Sequence, residues 1–112
     1  MADRYREVYE SFRWDVPADF NITQWACRRW AADPHRLALH WEDESGATQA
    51  WSYRELQHAA NRLSNALAAL GVARGDRVAL ILPQRPETVI TYFACFQMGA
   101  TAASVVRLAG AF

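Results

Sequence analysis

Four kinds of side chain in this 112-residue chain could carry chemistry: carboxylates, histidines, arginines and cysteines. Glu42-Asp43-Glu44 sets three acids in a row, the donor type a hard cation takes. Adjacent carboxylates on a turn lack a fixed octahedral arrangement, and no distant ligand is evident, so a solvated acidic loop is the favoured reading. His40 has the chemistry of a general base, but no nucleophile or orienting acid can be assigned to it. It reads as a strand histidine, and His35 and His58 offer less still. Arg28 and Arg29 read as a solvated helix face rather than an anion site. Cys27 and Cys95 are too few and too far apart for a disulfide framework or a zinc knuckle, and read as buried thiols. No G-x-G-x-x-G, G-x-x-x-x-G-K or G-x-S-x-G occurs.

These residues are held by a chain that reads as α/β. Ser52-Tyr53-Arg54-Glu55 has the spacing of a capping box, with Trp51 and Leu56 placed to staple it. Leu56, Ala59, Ala60, Leu63, Ala66, Leu67 and Leu70 recur at three- and four-residue steps, which predicts an amphipathic helix ending at Gly71. Val78-Ala79-Leu80-Ile81-Leu82 lacks polar alternation, which predicts a strand covered on both faces. Pro86 and Glu87 suit the first turn of a second helix, apolar on most sides and capped by Gly99. Ala100 to Val106 predicts a second inner strand, and strand–helix–strand implies a right-handed parallel crossover. Arg85 is the one charged group at the carboxyl end of the first strand, where α/β sheets usually carry their sites. An anion contact and a surface role are its two readings, the second favoured.

Upstream, Asp3 to Phe12 predicts a short helix with Tyr5, Val8, Tyr9 and Phe12 on one face. Trp14-Asp15-Val16-Pro17 is an extended connector. Asn21 predicts an N-cap, with a helix from Ile22 to about Ala32 and Ile22, Trp25, Ala26 and Trp30 inward. Leu37, Leu39 and Trp41 alternate with Ala38 and His40, and Thr48 to Trp51 returns, which predicts a β-hairpin. The division that follows is an N-terminal helix and connector over 1–20 and an incomplete α/β portion over 21–112.

The formal charge is zero, which argues against a nucleic-acid partner. Every basic residue except the histidines is Arg; the chain has no Lys. No apolar run approaches the roughly 20 residues of a membrane span, and no secretory signal core is present, so a soluble cytoplasmic protein is expected.

The succession Trp51 to Leu56, Asn61 to Leu67, Gly71 to Ala79 and Leu82 to Glu87, with Gly99-Ala100, resembles the N-terminal end of adenylate-forming (AMP-binding) enzymes. Phe12-Arg13-Trp14-Asp15-Val16-Pro17 with Phe20-Asn21 resembles the opening of medium-chain acyl-CoA synthetases and acetyl-CoA synthetase-like proteins. The resemblance implies a two-step ligase: a carboxylate such as a fatty acid reacts with ATP-Mg to give acyl-AMP, and CoA then displaces AMP. It also implies that the phosphate-binding loop and the catalytic lysine lie downstream of the matched region. No catalytic, cofactor-binding or metal residue is therefore carried onto this chain. From Ser104 to Phe112 the family pattern is lost, which reads as a truncated copy, a frameshifted gene or an excised fragment. The expected fold is a partial N-terminal subdomain: hairpin, then helix–strand–helix–strand with a parallel crossover.

Three functional readings follow: a synthetase fragment inactive alone, a non-enzymatic module pairing through its open sheet edge, and a small regulator of receiver type. The last needs acids at strand ends, which Leu82-Pro83 does not supply. Two parallel strands leave long edges unpaired, so marginal stability with self-association is expected.

Overall fold

The computed structural model describes residues 3–105. Its elements are α1 (Arg4–Ser11), α2 (Ile22–Ala26), a 3-10 turn (Arg28–Trp30), β1 (Leu37–Glu42), β2 (Thr48–Ser52), α3 (Tyr53–Ala69), β3 (Arg77–Leu80), α4 (Pro86–Met98) and β4 (Thr101–Ser104). β1 and β2 form an antiparallel hairpin; β3 and β4 form a separate parallel pair with Leu80 opposite Ser104. The expected hairpin, crossover and two long helices are therefore present.

α3 starts as its residue types demand. The Ser52 hydroxyl accepts from the Glu55 N–H at 3.2 Å, and the Glu55 carboxylate accepts from the Ser52 N–H at 2.8 Å. Two of the free backbone donors at this end of the helix are met reciprocally. α4 begins on Pro86 and ends at Gly99, whose φ of 74° is left-handed. A Cβ there would lie 2.9 Å from Arg74 Cγ, so glycine answers both a backbone and a space requirement. α4 has covered residues all round, consistent with a helix packed between α3 and the β3–β4 pair.

The core gathers Cys27, Leu56, Ala59 and Ile90, flanked by Leu39, Trp51, Tyr53, Leu63, Val89 and Phe93. Small residues let α3 and α4 approach closely: the Ser64 hydroxyl donates to the Ala94 carbonyl of the facing helix at 3.1 Å.

Four expectations need correction. α2 stops at Ala26, because Cys27 leaves helical geometry (φ −128°, ψ −62°) and the chain tightens into the 3-10 turn. Its inward residue is Thr23, fully buried together with Cys27 at the C-cap, while Ile22 and Trp25 are half exposed, Ala26 is exposed and Trp30 is half-buried. Thr23 points inward because its hydroxyl reaches a carbonyl of α4, a contact invisible to apolar periodicity. In β1 the register shifts between Leu37 and Leu39, which turns Leu37 outward and breaks the simple alternation.

β3 ends at Leu80 rather than Leu82, and it is covered on one face only: Leu80 is buried, whereas Ala79 and Ile81 are exposed. The described residues supply layers on a single side of this pair. The predicted second strand is seen over Thr101–Ser104; Val106, and the part of the Ser104–Phe112 segment from Val106 onward, lie outside the described residues.

Candidate functional site

The loop at the carboxyl end of β3 is where sequence reasoning places Arg85, and the structure ties that loop down from two directions. The Thr88 hydroxyl donates to the Pro83 carbonyl at 2.7 Å. From the hairpin, the Trp41 indole N–H donates to the Gln84 carbonyl at 2.8 Å. The Arg85 guanidinium lies 5.2 Å from the centre of the Trp41 ring, and its Nε sits 3.4 Å from the Glu87 carboxylate. Arg85 is thus occupied on one face and one edge by its own surroundings, which favours the surface role over a dedicated anion contact. Trp41 as a loop anchor was not legible in the sequence, because it joins segments 43 residues apart.

The acidic turn is organised around one member. Asp43 Oδ1 accepts from the Ser45 N–H, the Ser45 hydroxyl and the Ala47 N–H at 2.6–3.0 Å. The Ser45 hydroxyl bond, followed by the backbone bond from Ala47, holds the Asp43 carboxyl below its usual range. That carboxylate closes a turn. Among the described residues no group of three or more His, Cys, Asp or Glu side chains is arranged to hold a metal ion.

His40 is exposed on the hairpin, and His35 stands beside Asp33, whose carboxylate accepts the His35 backbone N–H at 2.9 Å. His58 lines an open cleft of about 460 Å³ with Trp51, Glu55, Asn61 and Arg62. Glu55 in that cleft is held below its usual value by the Ser52 backbone N–H, with the Ser52 hydroxyl second. It caps α3 and leaves His58 without a free orienting acid. Among the described residues, those lining the cleft beside His58 include no serine, threonine or cysteine.

Cys27 and Cys95 are free and buried. Burial pushes the Cys27 thiol up to about 11, with Arg28 opposing, and raises Cys95 as well. Such thiols are protonated at neutral pH and poor nucleophiles. Arg28 reaches Gln97 Oε1 at 3.5 Å in a second, smaller cleft shared with Asn21 and Gln24.

Between α3 and α4 runs a polar chain that the apolar stripe conceals. Gln57 Nε2 donates to Asn61 Oδ1 at 2.8 Å and to Gln97 Oε1 at 2.9 Å, and Gln97 Nε2 bonds the Ser64 hydroxyl. Arg54 reaches back to the carbonyls of Ala31 and Ala32, closing the end of the 3-10 turn. The i, i+4 pair Gln57 and Asn61 was the available signal for the first; nothing local marks the second.

Comparison with known proteins sets these elements in context. The AMP-binding enzyme family matches residues 27–110, so the match runs past Ser104, where the family pattern was expected to be lost. The chain is 46% identical over 70 residues to the acetyl-coenzyme A synthetase of Streptomyces coelicolor, covering 62% of this chain and 11% of that protein. It is 34% identical over 84 residues to an uncharacterised acyl-CoA ligase of Bacillus subtilis, covering 75% and 16% respectively. Among solved structures, an acyl-CoA synthetase of Brucella canis superposes with a TM-score of 0.74 at 27% identity, over 89% of this chain and 20% of that one. The acetoacetyl-CoA synthetase of Streptomyces lividans gives a TM-score of 0.74 at 31% identity, over 83% and 14%. The chain spans about a tenth to a sixth of the length of the two curated relatives.

Proposed function

The chain belongs to the AMP-binding enzyme family, and from that premise we propose that it is the N-terminal part of an acyl-CoA synthetase, inactive by itself. The complete enzyme would activate a carboxylate such as a fatty acid with ATP and Mg to acyl-AMP, then transfer the acyl group to CoA. In this reading residues 1–20 are an arm, and residues 21–112 are an incomplete portion of the AMP-binding domain, acting in the cytoplasm. No helix of the described residues is long and apolar enough to cross a membrane.

The observation that carries the reading is the superposition of 89% and 83% of this chain on two acyl-CoA synthetases, each at a TM-score of 0.74. The residues present do not fit ATP-Mg. Asp43 is committed to its turn, Glu55 to its cap, and Arg85 to Trp41 and Glu87. With no Lys in the chain, no ammonium is available to stabilise charge on a reacting phosphate. Pyrophosphate exchange into ATP, measured with acetate and with medium-chain fatty acids, is the test. The purified 112-residue chain is expected to give none; exchange from pure material overturns the inactive-fragment reading.

One observation favours a second reading, a non-enzymatic module that pairs through its sheet. β3 and β4 pair only with each other among the described residues, and Ala79 and Ile81 are exposed on the open side. An unpaired strand edge beside an exposed apolar face favours association. A concentration-dependent size-exclusion profile that collapses to monomer with Ile81→Lys supports it; a monomer at all concentrations refutes it.

A further inference from the structure

A column of alternating aromatic rings and guanidinium groups stands on the surface formed by α2, the 3-10 turn and the segment leading to β1. Phe20 stacks on Trp25 with ring centres 6.1 Å apart and planes 21° apart. Arg29 lies 4.9 Å from the Trp25 ring and 4.3 Å from the Trp30 ring, between the two. Arg36 then covers Trp30 at 3.9 Å. Trp30 is half-buried; the other four members are exposed, with Phe20 at 52% and Trp25 at 49%.

Several features set this column apart from scattered surface residues. Stacking on the indoles immobilises guanidiniums that would otherwise lose rotamer entropy on binding. Their N–H edges remain free: among the described residues neither Arg29 nor Arg36 has a side-chain hydrogen bond or an ion pair, and the one ion pair present is Arg85–Glu87. The nearest acid in sequence, Asp33, has its Oδ1 accepting the His35 backbone N–H. Arg28 in the 3-10 turn, and Arg54 reaching from α3 to the Ala31 carbonyl at its end, add positive charge. Exposed Trp and Arg in contact are also the composition of binding hot spots.

We propose that the Phe20–Trp25–Arg29–Trp30–Arg36 column is a docking surface for an acidic polypeptide segment. Two planar forks with free edges match carboxylates bidentately, and the exposed Phe20 and Trp25 rings offer apolar contact beside them. Charge complementarity selects a short acidic peptide over nucleic acid, because the chain is neutral overall and carries Glu42-Asp43-Glu44 on its hairpin, which repels a long polyanion. The proposal is independent of the synthetase reading, and its test needs no catalysis.

The test is fluorescence anisotropy of the intact chain with a labelled peptide alternating Glu and Leu, against the same peptide with Gln for Glu and against oligothymidine. Binding of the Glu peptide alone is expected, falling about tenfold in the Arg29→Gln, Arg36→Gln double variant, the order of magnitude of losing charge-assisted hydrogen bonds. Arg62→Gln, exposed on α3 outside the column, should leave it unchanged. Should the double variant lose helix content by circular dichroism, Arg36→Lys alone is read instead. It keeps the charge but not the planar fork, and a loss of roughly threefold is expected. Equal binding of the Gln peptide or of oligothymidine, no binding of the Glu peptide, an equal loss in Arg62→Gln, or dimerisation abolished by the same arginine substitutions would each overturn the proposal.

Discussion

Asn21 caps α2 with two hydrogen bonds and ties it to α4 with a third, and its replacement gives the sharpest check on the fold. Its Oδ1 accepts from the backbone N–H groups of Thr23 at 3.0 Å and Gln24 at 3.3 Å. Its Nδ2 donates across the interface to the Phe96 carbonyl at 2.9 Å. Only an amide serves both roles, since the cap needs an acceptor and the carbonyl needs a donor. Losing an N-cap costs about 1 kcal/mol, and losing a neutral interhelical bond costs about 1 kcal/mol more. Asn21→Ala should therefore lower the unfolding free energy by about 2 kcal/mol, out of roughly 5–15 kcal/mol for a domain of this size. With a denaturant slope of about 2 kcal/mol per molar urea, the midpoint should drop by about 1 M. Asn21→Ser keeps the cap but cannot reach Phe96, so it should lose about half as much. Asn21→Asp keeps the cap acceptor but aims an anionic oxygen at a carbonyl, and at pH 7 it should be no more stable than the Ser variant. Urea unfolding followed by circular dichroism reads all three. If Asn21→Ser matches the wild type, the bond to Phe96 contributes nothing; if it matches Asn21→Ala, the cap contributes nothing. Either result refutes the two-part account.

Three more perturbations test separate parts of the structure. Arg54→Met removes the side-chain bonds to Ala31 and Ala32 and should cost about 1.5 kcal/mol, with faster hydrogen exchange at the Ala31 and Asp33 amides; unchanged exchange would count against the anchor. Gly99→Ala should cost about 1–2 kcal/mol from the left-handed backbone, plus crowding against Arg74. Adding Arg74→Ala should recover only the crowding, so full recovery would exclude backbone strain. Glu55 has a folded value below its unfolded one, so its contribution is present above the unfolded value, about 4.3, and is lost as pH falls through the folded value. Tm of the wild type should therefore fall more steeply than Tm of Glu55→Gln as pH drops below about 4.3 and through the folded value, and parallel curves would show that the cap carries no such linkage.

Local chemistry was legible along the chain because its signals are local. The capping box at Ser52, the N-cap at Asn21, Pro86 in the first turn of α4 and the left-handed Gly99 each rest on residues within one turn of one another. The same holds for the amphipathic stripe of α3. The order of the elements, read beside the Trp51–Glu87 succession, carried the family. Long-range partners decided the rest. Cys27 and Thr23, rather than Ile22 and Trp25, turn inward because a carbonyl of α4 and the core cluster take them. Trp41 became a loop anchor, and Gln57 a buried polar bridge, through contacts 43 and 40 residues away. β3 proved half open, since its apolar run records what could cover it and only the packed elements determine what does. Hydrogen bonds and burial between distant segments depend on three-dimensional placement, which no periodicity along the chain encodes.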